Sequence, residues 1–531
     1  MNKILVVGAG PVGITCAIEL AKRKFDVVLV ESGGERFDPI VNSAGAFNQN
    51  NEESHAPMDI AMRRQLGGAS NIWGGRCVPY DPVDFLERIY VPFSKWPITF
   101  AEVKKYFNIT SGYFKCGDEI FSSKEFDVNK SLVLGYQDGD LKLSDLEKWS
   151  LPTNFSKEYY GEVKKFKNIT IIKNNTCVGL NERSGRVDSV ILRDKEGKKQ
   201  EIEADQFVFA NGTIESTRNL LAFFKVKNID NKFIGKYYMG HLSGQISNIV
   251  FNEKCDVKYD VFKNNDGVYV RHRITFTEDF QVRNKISNIA FWLVNPKIGD
   301  PAHGNGILSF AYLALSSMFG RFFAPEAIRR AAIEGAPPGS VIKHGKNIFW
   351  GFFSVCIFII VFGFKRFVAR RKVPGFFQKS ANNRYPLHYH SEQIPNPNST
   401  IVLSDVPDFL GMPRVNVDLK FDPIDFDSVV RAHQLLDQKL RDANIGHLEF
   451  YEGNKFEMVK SQAYDGFHQV GTLRMAVDSD HGVVDGNCKV FGFTNLYTVN
   501  GGVFPTSGQA NTTYMAVLMG IRLADHLDSI R

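Results

Sequence analysis

The first thirty residues consist of two short apolar runs separated by a glycine-rich turn and a stretch of helix length. Ile4–Val7 and Val27–Val30 are uninterrupted apolar runs, which are typical of strands buried on both faces of a parallel sheet. Gly8, Gly10 and Gly13 follow the first run directly. The pattern predicts a strand, a tight turn, a helix and a second strand at the start of the chain.

Other stretches have different periods. Alternation over residues 170–210, interrupted by SGR and EGKKQ, predicts hairpins that lead to a buried strand at Phe207–Ala210. A second alternating block spans residues 244–294 and predicts further strands. Residues 428–443 repeat apolar positions at helical spacing, and a last helix is predicted after Asn511. The chain therefore mixes α/β and α+β patterns.

The glycine turn is suited to binding a dinucleotide. In GxGxxG the first glycine makes the turn, the second lets a pyrophosphate approach the backbone, and the third lets the helix pack on the strand. Glu31 ends the second strand, 21 residues after Gly10, where a carboxylate can accept hydrogen bonds from ribose hydroxyls. The flanking strands and Glu31 make the motif specific for a dinucleotide, although FAD and NAD both remain open.

Seven further segments carry recognisable motifs. They are RQLGGASNIWGG at 64–75, KWPIT at 95–99, FVFANGTIESTRNLL at 207–221, IGKYYMGHL at 234–242, EQIPNPNSTIVLSD at 392–405, HQVGTLRM at 468–475 and NLYTVNGGVFPTSGQANTT at 495–513. In these segments the chain resembles the glucose-methanol-choline (GMC) oxidoreductases, nearest to the sugar-oxidising, pyranose oxidase-like members. The motifs follow the family's order and cover both ends and much of the middle of the chain.

The resemblance implies an α/β fold in which a Rossmann-type FAD-binding domain is assembled from discontinuous segments. Its implied parts are residues 1–100, 161–243 and 461–531. Residues 101–160 form a helical and loop connection, and residues 244–460 form an inserted α+β substrate domain built on an antiparallel sheet. The length of 531 residues agrees with at least two domains.

The resemblance also implies which residues bind the cofactor, FAD. They are Gly8, Gly10, Pro11, Val12, Gly13, Glu31, Ser32, Gly67, Gly68, Ser70, Asn71, Trp73, Val178, Ala210, Asn211, Gly212, Gly501, Gly502 and Thr512. Ile72 stands where the similar pyranose oxidases carry a histidine that bonds covalently to flavin. Because isoleucine cannot form that bond, noncovalent FAD is expected.

Two residues match the family's catalytic pair. His468 opens the HQVGTLRM segment, and Asn511 matches the second member, which is a His or an Asn. A flavin takes hydride from a carbinol carbon, and the hydroxyl proton then needs an acceptor. A neutral imidazole, with an ordinary pKa of about 6.5, is suited to that task. The implied roles are base for His468 and hydrogen-bond partner of the substrate oxygen for Asn511.

The residues alone leave simpler roles open. His468 could satisfy backbone carbonyls beside a glycine turn, and Asn511 could cap a helix. Thr512 follows Asn511 where the family usually has proline, so the helix start is less rigidly set. Arg474 remains open between contact with substrate or a flavin phosphate and a structural ion pair.

Other polar residues carry weaker signals. His388 and His390 are two residues apart, so a strand would place both on one face, and with His241 they suggest a metal site. No carboxylate or cysteine accompanies them at ligand spacing, so no metal is expected. By resemblance, Glu392 and Gln393 line or support the active cavity.

Composition narrows the class of protein. With 44% hydrophobic and 23% charged residues, the chain is globular rather than disordered. Its seven cysteines are scattered and form no CxxC motif, so no disulfide framework, haem attachment or iron–sulfur ligand set is indicated. The first strand begins within three residues of Met1, so no signal peptide and a cytoplasmic location are expected.

Residues 347–364, NIFWGFFSVCIFIIVFGF, pass without a charge. As a helix these 18 residues would be about 27 Å long, close to the bilayer's hydrocarbon thickness of about 30 Å. A single span would place Gly10 and Asn511 on opposite sides of the membrane, although one flavin site needs both. The segment is therefore expected to be a shallow or re-entrant insertion or an internal helix.

The flanks of this segment are strongly basic. Residues 318–378 carry ten Lys or Arg against two Glu, a balance of +8 in a chain whose total is +6. An anionic membrane surface attracts such flanks, which favours monotopic attachment to the inner face of the cytoplasmic membrane. A buried helix with a solvated basic flank is the alternative. Nucleic acid is not an expected partner, because the aromatic residues form one block and do not alternate with the charges.

The sequence as a whole predicts an FAD-dependent enzyme that oxidises an alcohol group of a sugar or polyol, including one attached to a lipid carrier. Oxygen, a quinone or a protein could accept the electrons. Two alternatives stay open: a soluble oxidase that uses oxygen directly, and a flavoprotein retained as a membrane-bound assembly partner. Intact His468 and Asn511 argue against the second alternative.

Overall fold

The structure is a computed structural model that describes residues 2–49, 53–125, 131–227, 229, 231–323, 326–333, 337 and 339–531. The strands are β1 (Lys3–Val7), β2 (Asp26–Val30), β3 (Asn48–Gln49), β4 (Arg76–Cys77), β5 (Leu141–Lys142), β6 (Leu146–Trp149), β7 (Ile169–Ile172), β8 (Thr176–Arg183), β9 (Arg186–Arg193), β10 (Lys199–Glu203), β11 (Gln206–Phe209), β12 (His241–Phe251), β13 (Phe262–Lys263), β14 (Tyr269–His272), β15 (Thr275–Phe276), β16 (Ile289–Leu293), β17 (Arg384–Glu392), β18 (Thr400–Pro407), β19 (Pro413–Asp418), β20 (Gly446–Phe450) and β21 (Leu496–Thr498). The helices are α1 (Pro11–Lys22), α2 (Pro39–Ser43), α3 (Met58–Ala61), α4 (Phe100–Lys104), α5 (Phe107–Phe114), α6 (Phe155–Val163), α7 (Thr213–Lys227), α8 (Glu278–Asn284), α9 (Gly306–Ser316), α10 (Gly320–Phe323), α11 (Glu326–Ile333), α12 (Ser340–Trp350), α13 (Phe352–Gly363), α14 (Pro423–Asp442), α15 (Lys455–Ser461) and α16 (Thr512–Ser529).

A parallel five-stranded sheet in the order β21-β11-β1-β2-β7 organises the cofactor-binding part. β1, β2 and β11 are almost entirely apolar and buried, and α1 packs against both β2 and α16. The sheet thus joins β1 at the start of the chain to β21 near its end. This confirms the predicted α/β fold with a Rossmann-type domain assembled from discontinuous segments.

The glycine turn between β1 and α1 is closely packed. Gly8 has φ +100°, a conformation that side chains with a Cβ rarely adopt. A Cβ on Gly13 would lie 1.8 Å from the carbonyl oxygen of Gly8, so only glycine lets α1 approach β1 this closely. Gly10 caps α1 without a side-chain hydrogen bond, and Pro11 is the first helical residue. The N–H groups of the first turn are therefore left for a ligand.

The remaining part of the fold is built on antiparallel sheets. One has the order β16-β17-β12-β20, with α14 packed on β20. A second has the order β13-β14-β6-β4. β4 and β6 precede residue 150 in the chain, so this second sheet takes strands from three of the predicted segments. The architecture agrees with the expected antiparallel substrate part, while the predicted domain boundaries stay predictions.

The last two helices expected from the sequence are present. The helix predicted over residues 428–443 is α14, which begins five residues earlier at Pro423. Its start is set by a capping box, in which Asp422 accepts from the backbone of Asp425 and Asp425 accepts from the backbone of Asp422. α16 begins directly after Asn511, as predicted.

The uncharged segment at residues 347–364 is divided between two helices. α12 and α13 meet at Gly351 and are bent by 88° relative to each other. In the part of the chain that the structure describes, no single helix has both the length and the apolarity to cross a membrane. The two helices of this bent pair have the required length and apolarity only when they are taken together. Only Val355 of α13 is buried. Glu334, which enters the basic charge balance, lies outside the described residues.

Residues 318–368 concentrate the exposed apolar surface. They contain 17 of the 34 large hydrophobic side chains that are exposed among the described residues. α12 packs on α9 through polar groups: His344 Nδ1 is 2.9 Å from Ser309 Oγ, and Asn347 donates to Ser309 Oγ at 3.1 Å. The opposite face carries Ile342 and Trp350, which are 74% and 85% exposed. α12 therefore turns polar groups toward α9, while its exposed side carries large apolar side chains together with Lys343 and Lys346.

Candidate active site

One cavity lies between the carboxyl end of the parallel sheet and the amino ends of α1 and α16. Its lining contains Gly8, Gly10, Pro11, Val12, Glu31, Ser32, Gly68, Ala210, Asn211, Gly212, Gly501 and Thr512, all of them residues predicted to bind FAD. In open parallel sheets a ligand site outside the carboxyl ends of the strands is the usual arrangement. Two helix amino ends at one cavity also favour negatively charged ligand groups.

Glu31 is held rigidly at the end of β2. Its carboxylate accepts hydrogen bonds from the N–H groups of Ala9 at 2.8 Å and Gly33 at 2.9 Å. Burial raises the pKa of Glu31 above its ordinary value, and these two hydrogen bonds oppose that effect. The carboxylate therefore links the glycine turn to the cavity wall.

Seven residues of the predicted set do not line this cavity. They are Gly13, Gly67, Ser70, Asn71, Trp73, Val178 and Gly502. Ser70 and Asn71 instead hold the turn at residues 67–71, where they donate to the carbonyls of Gly67 and Gly68. Trp73 donates to the carbonyl of Thr153, and Val178 packs against the core from β8. Their structural contribution is to shape the wall from behind.

Other lining residues were not found from the sequence. They are Val7, Val30, Ala61, Met62, Arg63, Arg64, Ala69, Asn175, Thr213, Ile214, Glu215, Phe467, Gln469, Asn500, Thr513 and Ala516. Eight of them lie inside the quoted motifs, namely Arg64, Ala69, Thr213, Ile214, Glu215, Gln469, Asn500 and Thr513, so the motifs were recognised but these positions were not assigned to the cofactor. Arg64 forms a buried ion pair with Glu215, a contact that only the folded chain creates.

The predicted catalytic pair is in direct contact. Asn511 Nδ2 lies 2.5 Å from His468 Nε2, and Arg76 Nε donates to Asn511 Oδ1 at 2.5 Å. Asn511 is the N-cap of α16 but makes no side-chain capping bond, because its amide is turned toward His468 and Arg76. Helix capping therefore does not account for this side chain.

Asp465 holds the other side of the imidazole and was not identified from the sequence. Its Oδ2 is 3.0 Å from His468 Nδ1, and its Oδ1 accepts from the backbone N–H of Gly466 and Phe467. Burial would raise the pKa of Asp465, but the neighbouring His468 and His241 lower it well below its ordinary value. With Nδ1–H donated to an ionised Asp465, His468 Nε2 keeps its lone pair. The only sequence signal for this contact was that Asp465 precedes His468 by three residues.

Three histidine rings meet at this point. His241, His390 and His468 have ligand-type nitrogens within 4.8 Å of one another, and the rings of His241 and His390 stack at 4.3 Å. His390 Nδ1 lies 2.6 Å from the carbonyl oxygen of Gln509. His388 is not part of this group, and its ring lies tilted against Trp292 with the ring centres 4.8 Å apart. The sequence considered His241, His388 and His390 together, whereas the fold groups His241 and His390 with His468.

The remaining candidate residues have structural roles. Glu392 is buried and accepts two 2.7 Å hydrogen bonds from Arg88, and Gln393 accepts from the backbone of Gly240. Within the described residues Arg474 forms no ion pair: its guanidinium lies 4.5 Å from the ring centre of Tyr237 and donates to the carbonyl of Phe93. Burial lowers the pKa of Arg474 to about 10.

The donor set fits a bound FAD. The free N–H groups at the start of α1 suit a pyrophosphate, and buried Glu31 suits a ribose. Gly501 and Thr512 line the same cavity within a few residues of Asn511. Ile72 offers no nucleophile for a covalent bond to the cofactor.

Two family profiles match the chain. The profile described as FAD dependent oxidoreductase matches residues 3–273, about half of the chain, and the profile described as GMC oxidoreductase matches residues 395–520. A curated relative, the oxygen-dependent choline dehydrogenase of Brucella anthropi, is 31% identical over 70 residues. That alignment covers 13% of this chain and 13% of the relative.

Three solved structures share the fold. Pyridoxine 4-oxidase from Mesorbium loti superposes with a TM-score of 0.58 at 15% identity, covering 99% of both chains. An FAD-dependent oxidoreductase from Chaetomium thermophilum gives 0.53 at 13% identity, covering 100% of this chain and 99% of the other. A fungal aryl-alcohol oxidase gives 0.53 at 12% identity with the same coverage. At these identities the likeness shows the fold alone.

Glu31→Ala should weaken FAD binding. The variant removes a buried charged acceptor, a loss of roughly 1.5–3 kcal/mol, or about a 10- to 150-fold rise in the dissociation constant. Titration of apoprotein with FAD by fluorescence measures this. Glu35→Ala is the matched control, because Glu35 is exposed and pairs with Lys173 at the surface. Unchanged affinity in Glu31→Ala would remove Glu31 from the site.

Asp465→Asn should slow flavin reduction by alcohol about 10- to 1000-fold, because the imidazole loses the carboxylate that orients it and stabilises its protonated form. The acid limb of the pH–rate profile should move to lower pH, since a base without a neighbouring anion takes up a proton less readily. Asp478→Asn is the control, because exposed Asp478 pairs with His481 at the same spacing. An unshifted profile would mean that Asp465 only shapes the backbone.

Proposed function

The chain belongs to the glucose-methanol-choline family of FAD-dependent oxidoreductases, and on this premise we propose that it oxidises a hydroxyl group of a sugar or another polyol at a membrane surface. FAD is its cofactor. The observation that carries the proposed chemistry is the contact between His468 and Asn511, fixed from both sides by Asp465 and Arg76. The preference for a sugar or polyol rests on the motifs shared with sugar-oxidising enzymes.

His468 is the proposed base. The donor pattern around it leaves the lone pair on Nε2, which accepts from Asn511 Nδ2 in this structure. A substrate hydroxyl that replaces this contact would give its proton to Nε2. Asn511 holds the substrate oxygen through its amide while that proton leaves. When bound, FAD supplies the acceptor for the hydride lost from the carbinol carbon.

Asp465 stabilises the charge that forms on the imidazole. It is buried beside His468 and ionised, so protonation of His468 creates an ion pair at a fixed geometry. Burial lowers the pKa of both His241 and His390; the Asp465 carboxylate opposes this effect at His241, and the Arg76 guanidinium adds to it at His390. These two rings therefore stay neutral and do not repel the proton that His468 receives.

We further propose that residues 318–378 attach the enzyme to an anionic lipid surface without crossing it. Three features support this: the outward apolar face of α12, the exposed apolar side chains of α13, and the basic residues around them. Lys343, Lys346 and Arg370 are exposed beside the apolar surface. Apolar burial together with attraction of basic residues to anionic lipid is the physical basis of interfacial attachment.

His468→Ala should leave FAD bound but slow flavin reduction by about 10²–10⁴-fold, the usual contribution of a positioned general base. Asn511→Ala should slow it less, because a neutral hydrogen-bond partner is lost and the base remains. Anaerobic rapid mixing against sugars, polyols, nucleotide sugars and lipid-linked sugars measures both. Exposed His481 provides the control, His481→Ala. A wild-type rate in His468→Ala would place the base elsewhere.

Replacing Phe352, Phe353, Ile357 and Ile360 with serine should release the protein from anionic vesicles while FAD stays bound. All four side chains are at least 55% exposed, so the change removes lipid contacts and leaves the core intact. Co-sedimentation with vesicles and FAD content measure the two effects.

The matched control replaces Ile40, Ile89, Val406 and Ile530 with serine, because these side chains are also at least 54% exposed and lie outside the segment. Neutralising Arg370, Arg371 and Lys372 should weaken binding by about 1 kcal/mol each, and less at high salt. A wild-type protein that ignores anionic vesicles would contradict the attachment.

A further inference from the structure

Two arginines beside the catalytic pair, the buried Arg271 and the partly buried Arg76, share one carboxylate. Arg76 on β4, Glu147 on β6 and Arg271 on β14 lie on adjacent strands of one sheet. Glu147 Oε1 accepts from Arg271 Nε at 2.8 Å, and Glu147 Oε2 lies 3.4 Å from Arg76 Nε. Glu147 is completely buried. Two guanidinium cations therefore face a single anion.

Neighbouring groups do not remove this excess positive charge. Arg273 donates to Gln509, whose amide donates to Asp81 at 2.7 Å, so that cation has its own carboxylate nearby. His388 is neutral, because burial and the nearby arginines lower its pKa to about 3. Asp465 is separated from Arg76 by the side chains of His468 and Asn511.

Aromatic rings hold the two guanidinium groups without neutralising them. Arg76 lies 4.5 Å and Arg271 lies 5.1 Å from the ring centre of Trp292. Arg271 is also 5.4 Å from Trp149 and 5.2 Å from Phe377. Within the described part of the chain, the terminal nitrogens of Arg76 donate no hydrogen bond to protein. Stacking leaves the in-plane N–H donors of Arg76 available to an anion, since this side chain keeps 17% of its surface exposed.

We propose that Arg76 and Arg271 bind an anionic group, a phosphate or a carboxylate, carried by the alcohol substrate. The inference rests on the proposed oxidation at His468, since it concerns the substrate of the same site. A planar guanidinium can hold either anion through two parallel hydrogen bonds. Because Arg76 Nε is bonded to Asn511, the anion lies one side chain from the pair that handles the hydroxyl.

The same site borders the apolar segment. Phe377 packs on Arg271, and its neighbour Phe376 contacts Phe358 and Phe362 of α13 at ring-centre distances of 4.7 Å and 5.3 Å. A substrate with an anionic group and an alkyl chain would contact the arginines and this apolar wall together. The expected substrate class is therefore an amphiphilic alcohol that carries a phosphate or carboxylate.

Hexyl phosphate is the probe for this site, and its binding to the holoenzyme is measured by calorimetric titration. Inorganic phosphate tests the headgroup alone, and hexanol tests the uncharged alkyl chain. The wild-type protein should bind hexyl phosphate more tightly than either. Arg271→Gln should weaken that binding by about 10- to 100-fold, the range for a charge-assisted hydrogen bond. Glu147→Gln should tighten it, because the competing carboxylate is gone. A gain of affinity cannot come from damage to the fold.

Arg283→Gln is the matched control, because Arg283 is exposed and pairs with Asp140. His468→Ala holoenzyme should bind hexyl phosphate as the wild type does. No binding to the wild type, or opposite or absent shifts in Arg271→Gln and Glu147→Gln, would overturn the inference. Arg271→Gln could instead leave hexyl phosphate binding unchanged and alter the reduction potential of FAD. That result would mean that the arginines balance the charge of the flavin, and it would also overturn the inference.

The two proposals fail separately. If alcohols reduce the flavin without His468 and hexyl phosphate binds as expected, the anion site is supported and the proposed base is wrong. Reduction that depends on His468, with no anion binding, would leave the oxidation standing and remove the anion site.

Discussion

The site depends on one chain of hydrogen bonds, from Arg76 through Asn511 and His468 to Asp465. Each link fixes the next. The arginine fixes which way the amide points, the amide nitrogen is then directed at Nε2, and the carboxylate takes the proton on Nδ1. In this partly buried setting these bonds are stronger and costlier to lose than in water, so they specify both the tautomer and the position of the His468 imidazole.

These hydrogen bonds connect segments that are distant in the sequence and become neighbours only in the folded protein. Arg76 arrives on an edge strand of an antiparallel sheet, while Asn511 is placed at the amino end of α16. α16 packs on α1, and α1 is drawn onto β1 because Gly13 has no Cβ. The glycine turn and Asn511 therefore belong to one packed unit.

The chain uses apolar residues in two opposite ways. In β1 and β2 they are buried and hold the cofactor-binding part together, as the hydrophobic effect requires. In α12 and α13 they face outward while polar groups such as His344 face the protein. The second arrangement is stable only against another apolar phase, which is the physical reason for the proposed lipid contact. Phe376 and Phe377 connect this surface to the arginines of the active site.

Local pattern determined the Rossmann opening and the start of α16, and it singled out His468 and Asn511 as the candidate catalytic pair, because glycine spacing, apolar runs and short motifs reflect short-range requirements of backbone and chemistry. It also showed that residues 347–364 could not form a single span. It did not reveal Asp465 and Arg76 as partners of that pair, or the outward orientation of α12. Arg76 meets Asn511 across 435 positions of the chain, and Asp465 meets the ring of its near neighbour His468 only because the backbone turns between them. Only the tertiary structure therefore decided which polar groups meet and which apolar face remains uncovered.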